Sequence, residues 1–189
     1  MIHVWRKQQD FIFLPFAAEK SILNGKNAGG ENMYLAYKKI SPGAGHEVGR
    51  ELLRQLYTEH VGADMPAILT TDRGKPYFAT GQWHFSISHT KHHAFCVLSE
   101  KPVGLDAEEM DRQINLQLAE KILSPTEKAI WARQTDQRAA LLKFWVLKEA
   151  AAKLSGEGLK GYPNQTDFDP NDPRVQMIEN CYVAIVMES

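Results

Sequence analysis

Apolar and polar positions alternate in short runs along the first forty residues, and then the period changes. IHVWR (2–6) and MYLAYKKI (33–40) read as strands, and FIFLPF (11–16) as an extended piece. NGKNAGGE (24–31) reads as a glycine-rich loop without GxGxxG or Walker spacing. In SPGAGHEVGRELLRQLYTEHVG (41–62), Val48, Leu52, Leu53, Leu56 and Val61 recur near helical spacing, so the pattern predicts an amphipathic helix stopped by Gly62.

AILTTDRGKPYF predicts a strand, a turn at Asp72-Arg73-Gly74 and an extended exit. Three short strands are predicted at 83–88, 93–98 and 102–108, with Lys101-Pro102 in the second turn. From 114 to 155 the pattern is mostly helical. Ser124-Pro125-Thr126-Glu127 offers an N-cap, a proline at the first position and a glutamate at the third. Asp136 is placed to cap a further helix running through Lys153 and closed by Gly156. PNQTDFDPNDP is a turn-rich loop, and VQMIENCYVAIVM predicts a hairpin turning at Glu179-Asn180. This order predicts an α+β fold rather than alternating βαβ units, each half a helix on a small antiparallel sheet.

Composition changes this picture little. The 189 residues are 43% hydrophobic and 24% charged, as in an ordinary globular chain. The formal net charge of −1 gives no reason to expect nucleic acid. No apolar run reaches the ~18 residues of a membrane span, and MIHVWRKQQD has no signal core. Cys96 and Cys181 lie in apolar runs and read as buried free thiols, which suits a cytoplasmic protein.

Chemistry concentrates in three places. In VGLDAEEM, Asp106 and Glu108 fall on one face of a strand with Cα atoms ~6.6 Å apart. Two carboxylates so placed repel by ~2.5 kcal/mol at an effective dielectric near 20. Glu109 and Asp111 add to the field, and Mg²⁺ (or Mn²⁺) is a natural counter-ion. D-x-E alone is a weak motif, and by itself it reads better as an exposed strand end entering an acidic turn. In FWVLKEAAAKLSGEGL (144–159), Glu149 and Lys153 form an i,i+4 pair that taken alone could be a solvated face. The spacing of the clustered His84, His89, His92 and His93 fits no familiar zinc pattern. Ser88-His89-Thr90 at a strand end, with Lys75 from the earlier turn, offers hydroxyl, imidazole and ammonium to a phosphate.

Taken together, in chain order over about 110 residues, these stretches resemble the 4′-phosphopantetheinyl transferases of the surfactin-synthetase-activating type. Gly74-Lys75-Pro76 resembles the family's GKP turn, and Phe85-Ser86-Ile87-Ser88-His89-Thr90 its F-N-[LI]-S-H-[ST] strand. Val103-Gly104-Leu105-Asp106-Ala107-Glu108 resembles its metal motif, and Ser124-Pro125-Thr126-Glu127 its short helix start. Trp145 through Lys148-Glu149-Ala150, Lys153 and Gly156-Glu157-Gly158-Leu159 is similar to W-x-x-K-E-[AS]-x-x-K-x-x-G-x-G-L, the most specific of the five. The chain departs from the pattern at Ser86, Leu105, Ala107 and Ile122, where Asn, Ile or Val, a β-branched residue and Phe are usual. None of these removes a matched charge.

The resemblance implies two similar α/β halves about a pseudo-two-fold axis, 1–101 and 102–189, acting as a monomer with coenzyme A in the cleft between them. It implies Mg²⁺ on Asp106, Glu108 and Glu149, with Lys148 and Lys153 facing the phosphates of coenzyme A. Asp106, Glu149 and Lys153 would be the catalytic residues. The serine proton would go to Glu149 or to a metal-bound water. Lys75, Pro76, Ser88, His89, Thr90 and, on a weaker match, Arg50 would hold the nucleotide end. The implied reaction moves phosphopantetheine from coenzyme A to a serine of a fatty-acid, polyketide or peptide carrier protein, releasing 3′,5′-ADP. Arg112, Leu116, Leu118 and Lys121 would meet the acidic carrier. A Mg²⁺-dependent phosphotransferase or phosphodiesterase without a carrier, and a silent carrier-binding module, are the alternatives.

Overall fold

The computed structural model describes residues 12–13, 20–26, 32–158 and 166–188, with side chains for 32–158 and 166–188. The expected strand at 2–6, Leu159 and part of the 163–173 loop lie outside these residues. The contacts divide the chain into two compact units, Met1–Leu69 with Pro76–Val103, and Thr70–Lys75 with Gly104–Ser189. Among the described residues, no helix is long and apolar enough to cross a membrane.

In the first unit, five strands form one antiparallel sheet in the order β1-β2-β3-β7-β6. They are β1 (Ile12–Phe13), β2 (Lys20–Lys26), β3 (Asn32–Lys39), β6 (His84–His89) and β7 (His93–Ser99). The glycine-rich loop begins later than its composition suggests. Asn24, Gly25 and Lys26 continue β2 and pair with Tyr34, Met33 and Asn32. Ladder pairing here overrides the turn preference of Asn and Gly.

Helix α1 (Gly45–Val61) lies on this sheet, and Gly62 closes it in the left-handed region at φ 69° as expected. The strand alternation selects the face it covers: Ala36, Phe85, Ala94, Cys96 and Leu98 meet Leu52, Leu53 and Leu56. Gly45 lets the first turn of the helix press against the His89 ring, where a Cβ would collide. Strands β4 (Ile68–Thr70) and β5 (Pro76–Phe78) pair across the expected turn, with Gly74 at φ 87°.

In the second unit, β8 (Val103–Glu109), β9 (Val175–Ile178) and β10 (Cys181–Met187) form a sheet in the order β8-β10-β9. The terminal hairpin turns at Glu179-Asn180, with Glu179 at φ 51°. The helical stretch breaks into a 3-10 turn (Leu116–Leu118), α2 (Ala119–Ile122), α3 (Pro125–Trp131) and α4 (Gln137–Ser155). Pro125 disfavours helical backbone at Ser124, which is extended and caps α3 through a complete capping box with Glu127. Asp136 caps α4 by accepting the Ala139 N–H, and Gly156 ends it at φ 75°. Leu141, Leu142, Phe144 and Leu147 of α4 join Ile122, Phe168, Tyr182 and Val186 in one core. Cys96 and Cys181 are buried free thiols on β7 and β10, as expected.

One contact sets how closely β8 lies on α4. A Cβ at Gly104 would overlap the Ala150 carbonyl oxygen and the Leu154 nitrogen, both helix backbone. Gly104→Ala is therefore expected to lower stability by about 1–3 kcal/mol, the usual cost of overpacking, read as a lower urea midpoint at unchanged slope.

Candidate active site

The acidic strand and the long helix meet in register. On β8, Gly104 and the side chains of Asp106 and Glu108 share one face. On α4, Trp145, Glu149 and Lys153 form an i, i+4, i+8 stripe. Two strand residues advance ~6.7 Å and four helix residues ~6.0 Å, so the two rows stay in step. Lys153 Nζ donates to Asp106 Oδ1 at 2.7 Å, and Trp145 Nε1 donates to Glu108 Oε1 at 3.2 Å. Glu149 lies between these pairs in the stripe and feels the Asp106 charge. Arg112 pairs with Glu108, its guanidinium 5.8 Å from the Trp145 ring centre. Arg138 holds the turn after β8 by donating to the Met110 carbonyl at 2.6 Å.

The electrostatics follow from this crowding. Burial pushes the Glu149 carboxyl above its ordinary value, and the Asp106 charge pushes it further. Lys153 and Arg112 pull it back only in part. Asp106 is 6% exposed, so its charge is little screened by water. Among the described residues, no three His, Cys, Asp or Glu side chains gather closely enough to hold a metal ion. Side-chain cations already sit on two of the expected ligands: Lys153 on Asp106, Arg112 on Glu108.

Other expected residues stand elsewhere. Lys148 does not face outward with Glu149. It is 1% exposed and pairs at 2.8 Å with Glu127, itself 0% exposed. A helix turns ~100° per residue, so Lys148 points into the core when Glu149 points toward β8. Lys75 donates its ammonium to the Leu154 carbonyl, capping the C-terminal end of α4. Desolvation there lowers its pKa, with Glu188 partly opposing. Arg73 and Glu157, 3.5 Å apart, hold the same turn. Pro76 starts β5 and is half-buried.

On the first unit, His89 is exposed at the end of β6, while Ser88 is buried on the opposite sheet face. The two are not brought together. His46 of α1 lies edge-on to His89 instead, ring centres 4.8 Å apart. Thr90 Oγ1 accepts the backbone N–H groups of His92 and His93 and builds the turn. His84 and His92 are exposed, whereas His93 is buried near Phe95. Arg50, Arg112, Leu116 and Lys121 are all exposed. Sequence reasoning missed His46, the Trp145–Glu108 bond and Glu127 as the partner of Lys148. Only Glu127 carried a signal, as a capping residue.

Residues 102–182, which contain β8, α3 and α4, match the family model of the 4′-phosphopantetheinyl transferase superfamily. The chain is similar to 4′-phosphopantetheinyl transferases. It is 32% identical over 117 residues to a 4′-phosphopantetheinyl transferase of Bacillus subtilis, covering 59% of this chain and 52% of that one. It is 26% identical over 158 residues to the transferase gsp of Aneurinibacillus migulanus, covering 79% and 65%. It is 32% identical over 117 residues to the transferase psf-1 of Bacillus pumilus, covering 59% and 50%. The chain thus spans about half to two thirds of the length of these relatives. The family-model match includes all three expected metal ligands and Lys153.

The raised Glu149 carboxyl makes a stability prediction for the metal-free protein. Its folded-state pKa lies above the ordinary 4.5, so the native state gains from the bound proton at low pH and loses that gain as pH rises through the raised value. Glu149→Gln removes this loss. Its melting temperature should match that of the parent below pH ~4 and exceed it by about 1–2 °C at pH 7, a small effect because solvent screens the group.

Proposed function

We propose that this chain transfers 4′-phosphopantetheine from coenzyme A to a serine hydroxyl of a carrier protein. The observation that carries this reading is the registered pairing of Asp106 and Glu108 with the Trp145–Glu149–Lys153 stripe, inside the segment that matches the family. In the reaction, the serine oxygen attacks the phosphorus that bears pantetheine. The bond from that phosphorus to the bridging oxygen breaks, 3′,5′-ADP leaves, and the hydroxyl proton is taken up.

The donor chemistry fits a hard cation. Carboxylate oxygens are the ligand type that Mg²⁺ or Mn²⁺ takes, and drawing the three onto one ion requires the lysine and arginine now on two of them to move away. Asp106, Glu108 and Glu149 would hold the metal, which would neutralise pyrophosphate charge. Lys153, half-buried beside Asp106, is placed to turn its ammonium onto the leaving phosphate. Glu149, or a water held in the site, would take up the serine proton. On the first unit, exposed His89, with His46 at its edge, is the proposed contact of the nucleotide 3′-phosphate. Exposed Arg112, Leu116 and Lys121 are the proposed contacts of an acidic carrier.

Each unit sets one long helix on an antiparallel sheet, α1 in the first and α4 in the second. That likeness supports two related halves, as a pseudo-two-fold transferase requires.

The test mixes the protein with coenzyme A, Mg²⁺ and an apo-carrier, and follows the carrier's gain of one phosphopantetheine by mass. Coenzyme A cleavage without a carrier would instead favour a phosphodiesterase. Lys153→Ala should slow transfer at least ~100-fold, because a cation on developing phosphate charge is worth ~3 kcal/mol of barrier. A surface pair with no role in the reaction would leave the rate unchanged. His89→Ala should weaken coenzyme A binding, with a smaller loss when dephospho-coenzyme A is the donor. An equal loss with both donors would remove His89 from the 3′-phosphate.

A further inference from the structure

Helix α4 is buried on nearly every side. Of residues 140–152, all but Lys143, Trp145 and Glu149 are buried. A helix apolar almost all round has no single hydrophobic face to set its rotation about its own axis. Burial is non-directional, and Ala150, Ala151 and Ala152 fill a core or a strand contact almost equally well. A turn of one residue, ~100°, would present Phe144, Lys148 and Ala152 to β8 in place of Trp145, Glu149 and Lys153.

A directional buried contact closes that freedom. Lys148 Nζ lies 2.8 Å from Glu127 Oε2, with 1% and 0% of the two side chains exposed. Glu127 cannot move to follow a rotating helix. Its Oε2 accepts the Ser124 N–H at 2.8 Å and its Oε1 the Phe168 N–H at 2.9 Å. Ser124 is held in turn by Asp167, Oγ to Oδ1 at 2.5 Å, and the Phe168 ring lies 5.6 Å from the Lys148 ammonium. Three separate stretches of chain therefore meet at one carboxylate. A buried ion pair contributes little net stability, and its best-attested use is to select one register among several.

We propose that Lys148 and Glu127 are a positioning pair that holds α4 at the one rotation delivering Trp145, Glu149 and Lys153 to the acidic strand. Lys148 directly precedes Glu149, so holding the first aims the second. Neither residue of the pair touches substrate. The role of the site rests on the proposed function; the rotation of the helix does not.

The test is the double variant Glu127→Gln/Lys148→Met. It removes both buried charges without leaving one alone, so the fold is expected to survive. Its crystal structure should show the Lys153–Asp106 contact, 2.7 Å in the parent, displaced or lost. Mn²⁺ affinity, titrated by electron paramagnetic resonance, should fall at least ~10-fold, the usual effect of removing support behind metal ligands. Leu142→Ala, which empties core volume on the same helix, should keep both the contact and the affinity while losing more melting temperature than the double variant. A folded double variant with the contact intact and the parent's Mn²⁺ affinity would overturn the proposal. Should the double variant not fold, Glu127→Asp keeps the charge, withdraws it by one methylene, and is read the same way. Should the unmutated protein bind no Mn²⁺, the metal reading falls, and the crystal contact alone decides the positioning role.

Discussion

The second unit depends on a close approach between a strand and a helix. Gly104 has no side chain where one would meet helix backbone, so β8 lies against α4 at Ala150 and Leu154. From that contact outward, strand and helix repeats run nearly in step, and each inward residue of β8 finds a partner on one stripe of α4. The acidic residues of β8 and the stripe of α4 are not gathered by loops. Two regular elements, docked at a glycine, deliver them.

This docking places like charges together. Burial raises the cost of ionising Glu149, and the Asp106 charge adds to it. Lys153 and Arg112 offset that cost in the structure described, each on one carboxylate. The same two cations must yield if a metal takes those oxygens, leaving Lys153 available to a phosphate. Lys153 and Arg112 reach these carboxylates from the solvent side, so both can swing away while the carboxylates stay in place. The buried Lys148–Glu127 pair is different. Removing one partner would leave a charge in the core, at a cost of ~3–5 kcal/mol.

The sequence made local features legible and left long-range partners hidden. Gly62, Gly156, Ser124 and Asp136 announce helix ends because capping is settled within four residues. Asp106 and Glu108 announce a shared face because strand alternation is strict. The family resemblance put Lys148 beside the phosphates of coenzyme A. Its true partner, Glu127, lies 21 residues away and looked like nothing more than a capping residue. Lys75 likewise has an acceptor that no local pattern marks, the Leu154 carbonyl 79 residues distant. Ser88 and His89 are neighbours in the chain, yet the alternation that made the strand legible puts them on opposite faces. No periodicity marks His46, whose place beside His89 follows from the docking of α1 at Gly45.

The central claim is that the acidic strand and the helix stripe act as one reacting unit. A double-mutant cycle between Glu108→Ala and Lys153→Ala, read on the rate of carrier modification, tests it most directly. Groups that act as a unit are strongly non-additive. The account predicts that the double variant is no slower than the slower single variant. Losses that multiply fully would show two independent contributions and contradict it.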